Sequence, residues 1–163
     1  MSLLGRLDRG LDWAARGCFL LAATALAAIV AITSLEVLLR YLFNAPTHWV
    51  ADSVGYLLAA VVMLGLPEVT RARGHVAITL LSDRAPWPRV LTAALNLAAA
   101  AVCLAAAWIV SEEMARQIAR GVMTEGAAPL PKAWITGALV LGFALTGLLF
   151  LRSLLRGRPD LME

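Results

Sequence analysis

Glu36 and Arg40 are the charged pair that the sequence places at the edge of a long apolar run. They are four residues apart, so on a helix both lie on one face within reach of an ion pair. A carboxylate at membrane depth is a candidate relay for protons or cations. However, the 18 uncharged residues from Cys18 to Leu35 place Glu36 near the end of a span, and this depth favours an interfacial residue paired with Arg40.

The histidines and cysteines do not assemble into a catalytic or ligand pattern. Haem held between helices would need histidines at membrane depth, whereas His48 and His75 fall at opposite surfaces. Cys18 and Cys103 each lie inside an apolar run, which favours small core residues over a disulfide or a metal pair. The sequence has no glycine-rich phosphate loop and no nucleophile beside a base, so we predict neither an ATPase nor another enzyme.

The composition is that of a membrane protein. Of 163 residues, 61% are hydrophobic and 15% are charged, with a mean hydropathy of +0.79, whereas soluble domains are about 45–50% apolar. The charge-free runs are Cys18–Leu35, Ser53–Pro67, Val90–Ser111 and Ala133–Leu151. Since about 20 apolar residues cross a bilayer as a helix, the sequence predicts an all-α membrane protein. We expect one domain, residues 1–163, with transmembrane helices at about 17–42, 49–70, 90–120 and 132–156.

Some residues predict local features of these helices. Asp52 opens the second helix, where a carboxylate suits the dipole, and Gly121 can end the third. Glu68 and Arg71 are three apart and can pair at the inner surface. The fourth helix carries a stripe of small residues, which are Ala138, Gly142 and Thr146.

Lysines and arginines are distributed unequally between the two sides of the membrane. Ten lie in the N-terminal segment, the second loop and the C-terminal tail, and four lie in the first and third loops. The positive-inside rule therefore predicts that both termini are cytoplasmic. The net charge of +3 reflects this bias. Because the arginines are split between loops, they form no basic stripe that would bind nucleic acid.

Two segments are expected at the membrane surface rather than across it. Residues 1–16 mix leucines and a tryptophan with charges, which predicts an amphipathic segment on the inner leaflet; an unstructured start is the alternative. Ala25-Leu26-Ala27 is similar to a signal-peptide cleavage site, but Asp8, Asp12 and the continuing apolar run favour an uncleaved helix. The loop of residues 71–89 is basic, partly apolar and too short to span, so we predict an interfacial loop.

The turn between the first two predicted helices carries a family resemblance. Residues 40–46 read Arg-Tyr-Leu-Phe-Asn-Ala-Pro and are followed by Trp49 and Asp52. This segment resembles the corresponding turn in the small membrane subunit (DctQ type) of TRAP transporters. Asp52 stands where a glutamate is more frequent, and it keeps the charge.

A second stretch resembles the same family. Gly65, then Arg73-Gly74-His75-Val76 and Pro86, follow in the expected order, and the four membrane segments agree with the family pattern. The residues that we take as structural or partner-contact candidates are Glu36, Arg40, Tyr41, Asn44, Pro46, Trp49, Asp52, Gly65, Arg73, Gly74 and His75.

The resemblance implies a function that the residues alone do not supply. TRAP transporters are tripartite importers of organic acids: a large membrane subunit holds the substrate and sodium sites, and a soluble periplasmic protein delivers the substrate. By this resemblance the chain is a multi-pass subunit of the bacterial inner membrane without a cofactor of its own. It would offer scaffold surface to the large subunit, and its first loop and residues 116–131 would contribute to the outer docking face.

Two alternatives from other classes stay open at this stage. Four helices and Glu36 are compatible with a small proton-coupled multidrug exporter acting as a homo-oligomer. A haem-bearing membrane enzyme subunit is the other alternative, which an absorption spectrum tests. The depth of Glu36, the neighbouring Arg40 and the basic middle loop favour the transporter subunit over the exporter.

Overall fold

The computed structural model describes residues 3–45, 47–72, 88–124, 127 and 129–156 of the chain. These residues form four helices: α1 is Leu3–Leu42, α2 is Val50–Arg71, α3 is Pro88–Arg120 and α4 is Lys132–Arg156. Each helix is long and apolar enough to cross a membrane. The predicted all-α fold with four membrane-spanning helices is thereby confirmed.

Helix α1 is continuous over 40 residues, although the sequence predicts a separate amphipathic segment before about residue 17. No proline interrupts this stretch, and a glycine such as Gly17 costs a helix only about 1 kcal/mol. At about 1.5 Å per residue, 40 residues reach roughly 60 Å, whereas hydrocarbon is about 30 Å thick. The charged first turns of α1 therefore extend beyond the apolar layer.

Asn44 turns the chain after α1. The amide groups of Phe43 and Ala45 both donate to the carbonyl oxygen of Leu39, at 3.1 and 3.2 Å, which closes the last turn. Asn44 then adopts a left-handed backbone conformation with φ of 51°, which asparagine tolerates better than most residues. The seven residues from Phe43 to Trp49 lead to α2.

Gly121 ends α3, as the sequence predicts. Its φ is +60°, a conformation in which a residue with a β-carbon is strained. The amide of Gly121 donates to the carbonyl of Ile118 (3.2 Å), and that of Val122 donates to the carbonyl of Gln117 (3.1 Å). These two bonds form a Schellman motif, which satisfies carbonyl groups that the end of the helix leaves open.

The helices lie side by side in the order α1, α2, α4, α3. α1 packs along α2, α2 along α4, and α4 along α3; α1 meets α4 only slightly, and α3 meets neither α1 nor α2 among the described residues. The molecule is therefore a four-helix row, with α1 and α3 at its edges. In the most apolar stretch of each helix, 33% of residues are buried in α4 but only 11% in α1 and in α3.

Small residues let the inner helices approach closely. Cys18 and Ala22 of α1 and Leu64 of α2 form a buried cluster, against which Ala60 and Ala138 also pack. The sequence predicts a contact stripe of small residues along α4, a pattern that favours close helix packing in membranes.

Gly142 is where this stripe is tightest. A β-carbon at Gly142 would lie 2.9 Å from the carbonyl carbon of Met63 and closer still to its oxygen. Since those atoms belong to the backbone of α2, only glycine fits. On the other side of α4, a β-carbon at Gly147 would meet the side chain of Leu104 at 2.8 Å. α4 is thus held between α2 and α3 by glycines.

Candidate functional site

Arg152 joins the last turns of α4 to the first turns of α1. Its Nε lies 2.9 Å from Oδ1 of Asp8, and its terminal nitrogens donate to both carboxylate oxygens of Asp12 at 2.7 and 3.3 Å. The side chains of Arg152, Asp8 and Asp12 are 17%, 23% and 33% exposed, so solvent screens these contacts less than it screens most surface pairs. We call this end of the row, where α1 begins and α2 and α4 end, the Arg152 end.

Glu68 and Arg71 form a local ion pair at the same end. Nε of Arg71 donates to Oε2 of Glu68 at 2.8 Å, which confirms the pair that their three-residue spacing predicts. Arg71 is also near enough to Asp12 and Arg152 to interact with them electrostatically. The Arg152 end therefore joins charged side chains from α1, α2 and α4 in one cluster.

Asp52 connects the start of α2 to the α3–α4 connection at the opposite end of the row, which we call the Asp52 end. It lies in the first turn of α2, as predicted, where a carboxylate suits the positive end of the helix dipole. Its Oδ2 accepts a hydrogen bond from the amide of Ala127 at 3.0 Å. The segment between α3 and α4, which contains Ala127, is thereby tied to the start of α2.

The base of the α3–α4 connection is closed by main-chain bonds. The amide of Thr124 donates to the carbonyl of Leu130 (2.8 Å), and the amide of Lys132 donates to the carbonyl of Val122 (3.1 Å). The amide of Leu130 also donates to Oγ1 of Thr124 at 2.9 Å. These bonds hold Val122 and Thr124 beside Leu130 and Lys132 at the Asp52 end.

Gln117 and Thr136 form a buried polar contact between α3 and α4 that sequence reasoning missed. They are 7% and 9% exposed, and Oγ1 of Thr136 donates to Oε1 of Gln117 at 2.7 Å. Nε2 of Gln117 donates in turn to Oε1 of Glu113 at 3.2 Å. The signal for this contact in the sequence is Gln117 itself, a polar residue one turn before the end of an apolar helix.

Glu36 and Arg40 do not form the ion pair that their spacing permits. The ion pairs among the described residues join other side chains, and these two are not within 4.0 Å of each other. Glu36 is partly buried, while Arg40 is exposed. An exposed pair at this spacing gains only about 0.3–0.5 kcal/mol, so spacing alone does not bring it together.

The other candidates in the described part of this end lie on the surface. Tyr41 is 81% and Trp49 is 38% exposed, and Asn44 is exposed at the left-handed turn. Gly65, further along α2, has no atom within 4 Å of the place where a β-carbon would lie. These residues therefore do not hold the four helices together through close packing.

Four candidates fall outside the described residues. They are Pro46, Arg73, Gly74 and His75. The interfacial loop predicted over residues 71–89 lies mostly outside them as well. The roles assigned to these residues remain predictions.

An apolar groove runs between the Asp52 end and the middle of the row. It has a volume of about 750 Å³ and is lined by residues of α3 and α4, with Leu21 and Leu64 from the other two helices. Met114 and Trp134 are among the apolar side chains that face it, and Gln117 contributes its only side-chain amide. The lining includes no histidine, cysteine or carboxylate, so it offers apolar contact rather than acid–base chemistry.

Within the described residues, no three histidine, cysteine, aspartate or glutamate side chains gather as metal ligands would. Cys18 and Cys103 are free cysteines, and Cys18 is buried. What the chain presents is a set of exposed apolar helix edges between two polar ends. Such an arrangement is typical of a surface that meets lipid or a partner protein.

Comparison with known proteins gives one match. The family model described as "Tripartite ATP-independent periplasmic transporters, DctQ component" matches residues 29–159. No curated protein and no solved structure matches the chain. The matched region begins within α1 and includes all of α2, α3 and α4.

Proposed function

Since the chain belongs to the DctQ component family of the tripartite ATP-independent periplasmic (TRAP) transporters, it is a small permease subunit, and we propose that it supports the large membrane subunit in the uptake of an organic acid. In this proposal, transport is driven by a sodium gradient and depends on a periplasmic binding protein. The substrate and sodium sites lie in the large subunit. The single observation that carries the proposal is the family match over residues 29–159.

The arrangement of the helices favours a role as a scaffold for the large membrane subunit. A row in which α1 and α3 each have one main neighbour leaves wide apolar surfaces uncovered. Phe19 and Val30 on α1 and Trp108 and Ile109 on α3 are at least 50% exposed. In a membrane these surfaces meet either lipid or another helical protein, and a large membrane subunit is the partner that we propose for part of them.

The Asp52 end is the proposed docking face for the binding protein. The hydrogen bond from Ala127 to Asp52 ties the α3–α4 connection to the first turn of α2. Arg116 and Arg120 lie on the last turns of α3 beside it, and Arg116 is near both Glu112 and Glu113, at 3.5 and 3.9 Å. With both termini in the cytoplasm, as the distribution of arginines predicts, this end faces the periplasm of the inner membrane.

The position of Glu36 argues against the multidrug exporter. The Asp12–Arg152 contact places residue 12 of α1 and residue 152 of α4 at the same depth in the membrane. Lys132, where α4 begins, is 20 residues before Arg152, and Ile32 is 20 residues after Asp12. Because the two helices run in opposite directions, Glu36 lies about one helical turn beyond the start of α4. It is therefore far from the midplane, where a coupling carboxylate of an exporter is expected.

Affinity purification from native membranes tests the proposed function. The tagged chain is extracted in mild detergent, and the proteins that accompany it are identified and quantified by mass spectrometry. We expect a much larger polytopic membrane protein in equal amount. Recovery of this chain alone as a homo-oligomer would contradict the proposal. In that case, loss of drug resistance in Glu36→Gln cells would indicate an exporter.

A further inference from the structure

Arg9, Trp13 and Arg16 form a separate surface on the first turns of α1, which we call the Arg–Trp–Arg face. Together with Asp12 they line a pocket of about 170 Å³ at the Arg152 end. Their spacing of four and three residues places them on one side of the helix. Trp13 is 74% exposed, and both arginines are exposed. The face is therefore open to the surroundings of α1.

The two aspartates of this segment, Asp8 and Asp12, pair with Arg152 of α4. Both oxygens of Asp12 accept hydrogen bonds from Arg152, and Asp8 pairs with the same guanidinium. Arg9 has contacts of its own within the chain. The cluster has four cations and three carboxylates, so it keeps a positive charge in excess; they are Arg9, Arg16, Arg71 and Arg152 against Asp8, Asp12 and Glu68.

The Arg–Trp–Arg face lies where α1 passes from polar to apolar surroundings. The residues from Gly17 to Leu35, directly after Arg16, carry no charge. Leu20 lies one turn further, on the same side of the helix as Arg16, and is 65% exposed. Tryptophan is enriched at this depth of a membrane because its ring is apolar and its indole N–H is a donor.

We propose that the Arg–Trp–Arg face binds the phosphate headgroup of an anionic membrane phospholipid. The guanidinium groups supply donors whose fork geometry matches phosphate oxygens, and the indole N–H of Trp13 supplies a further donor. Leu20 lies where the first methylene groups of an acyl chain would pass. The excess positive charge selects an anionic lipid over a zwitterionic one. This site goes beyond the proposed transport function and does not depend on it.

Competition between two phospholipids tests the site. The full-length chain is purified in detergent, mixed with equal amounts of phosphatidylglycerol and phosphatidylcholine that share the same acyl chains, and analysed by native mass spectrometry. We expect a preference for bound phosphatidylglycerol. Each arginine near an anionic surface contributes about fivefold, so Arg9→Gln/Arg16→Gln, which removes two, should reduce the preference by about fivefold to about 25-fold. Trp13→Phe should reduce the preference less.

The matched control is Arg116→Gln/Arg120→Gln, which removes two exposed arginines from α3 near the Asp52 end. This variant should keep the wild-type preference. Equal retention of the two lipids by the wild type, or an unchanged preference in Arg9→Gln/Arg16→Gln, would overturn the proposal.

Two further measurements keep the test decisive. If Arg9→Gln/Arg16→Gln does not fold by circular dichroism, the wild type is measured at rising salt, where the preference should fall because exposed charges are screened; a preference independent of salt would overturn the proposal. Affinity purification of Arg9→Gln/Arg16→Gln from membranes is the second measurement. If this variant recovers less of the large subunit but keeps its lipid preference, the face binds protein instead, and the proposed lipid site is wrong. Because the competition uses this chain alone, its result is independent of which proteins accompany the chain in membranes.

Discussion

Asp12 and Arg152 are 140 positions apart in the chain, yet both oxygens of the carboxylate accept hydrogen bonds from one guanidinium. The contact joins the first turns of α1 to the last turns of α4, two helices that otherwise barely meet. Asp8 adds a second carboxylate to the same arginine. The long first helix, which packs along α2, is thereby also anchored to α4.

Loss of Arg152 should destabilise the chain. Arg152→Gln leaves the carboxylates of Asp8 and Asp12 close together without their cation, and we expect a loss of about 1–3 kcal/mol. The measurement is thermal unfolding of the detergent-purified chain, followed by tryptophan fluorescence. Arg120→Gln, which removes an exposed arginine from α3, is the control and should unfold as the wild type does. Unfolding of Arg152→Gln at the wild-type temperature would show that the contact contributes nothing.

The two carboxylates make a compensating variant possible. Replacing Asp8 and Asp12 by asparagine in the Arg152→Gln background removes the uncompensated negative charges, so part of the lost stability should return. If the triple variant is no more stable than Arg152→Gln, the loss comes from packing of the arginine stem rather than from charge.

Glycine at position 142 should be indispensable for the α2–α4 contact. In Gly142→Ala the new β-carbon meets the backbone of Met63, which cannot be relieved by rotating a side chain. We expect a loss of about 1–3 kcal/mol, the usual cost of overpacking, and a lower yield of folded protein by size-exclusion chromatography. Gly65→Ala is the control, because space is open there, and it should be neutral. Equal behaviour of the two variants would mean that α2 and α4 are further apart.

Asp52 should hold the α3–α4 connection in place. In Asp52→Ala the amide of Ala127 loses its acceptor, and a hydrogen bond of this kind contributes about 1 kcal/mol. We therefore expect amide hydrogen exchange at Ala127 to accelerate roughly fivefold, with little change in the unfolding temperature. Ser53→Ala, at the adjacent position, should leave this exchange rate unchanged. Equal exchange rates in wild type and Asp52→Ala would contradict a role for this bond.

Arg40 should act in assembly rather than within the chain. It is exposed and makes no ion pair with Glu36, so Arg40→Glu should leave the unfolding temperature of the isolated subunit unchanged. We expect lower recovery of the large subunit in affinity purification, with the substrate preference of the assembled fraction unaltered. Arg120→Glu serves as the matched charge reversal. An assembled Arg40→Glu transporter with a changed substrate preference would contradict this assignment.

Local features of this chain were predictable, because they depend on residues close in sequence. The charge-free runs predict the four helices, Gly121 predicts the end of α3, and Glu68 and Arg71 predict their ion pair. The sequence separates residues 1–16 from the membrane span that follows, whereas α1 is continuous from Leu3 to Leu42, because a change in polarity after Arg16 is not a helix break. Polarity reports where a helix leaves the membrane and not where it ends.

The spatial order of the helices could not be predicted. In a membrane, a face that meets lipid is as apolar as a face that meets protein, so the pattern along a helix does not indicate its neighbours. The partners of Arg152 were missed for this reason, although two aspartates one turn apart in a basic segment were a visible signal. Gly142 was the exception, since small residues do mark close approaches.

The order α1, α2, α4, α3 also has a consequence for how the protein is made. Each helix can pair with its successor as it enters the membrane, giving one antiparallel hairpin of α1 and α2 and a second of α3 and α4. The two hairpins then meet mainly along α2 and α4, where Gly142 admits Met63. Arg152 of α4 adds a contact to Asp12 of α1. The order of the helices therefore predicts two local insertions followed by one docking event. Two polypeptides, cut between residues 72 and 88 and synthesised separately, should therefore associate in the bilayer into the same four-helix row.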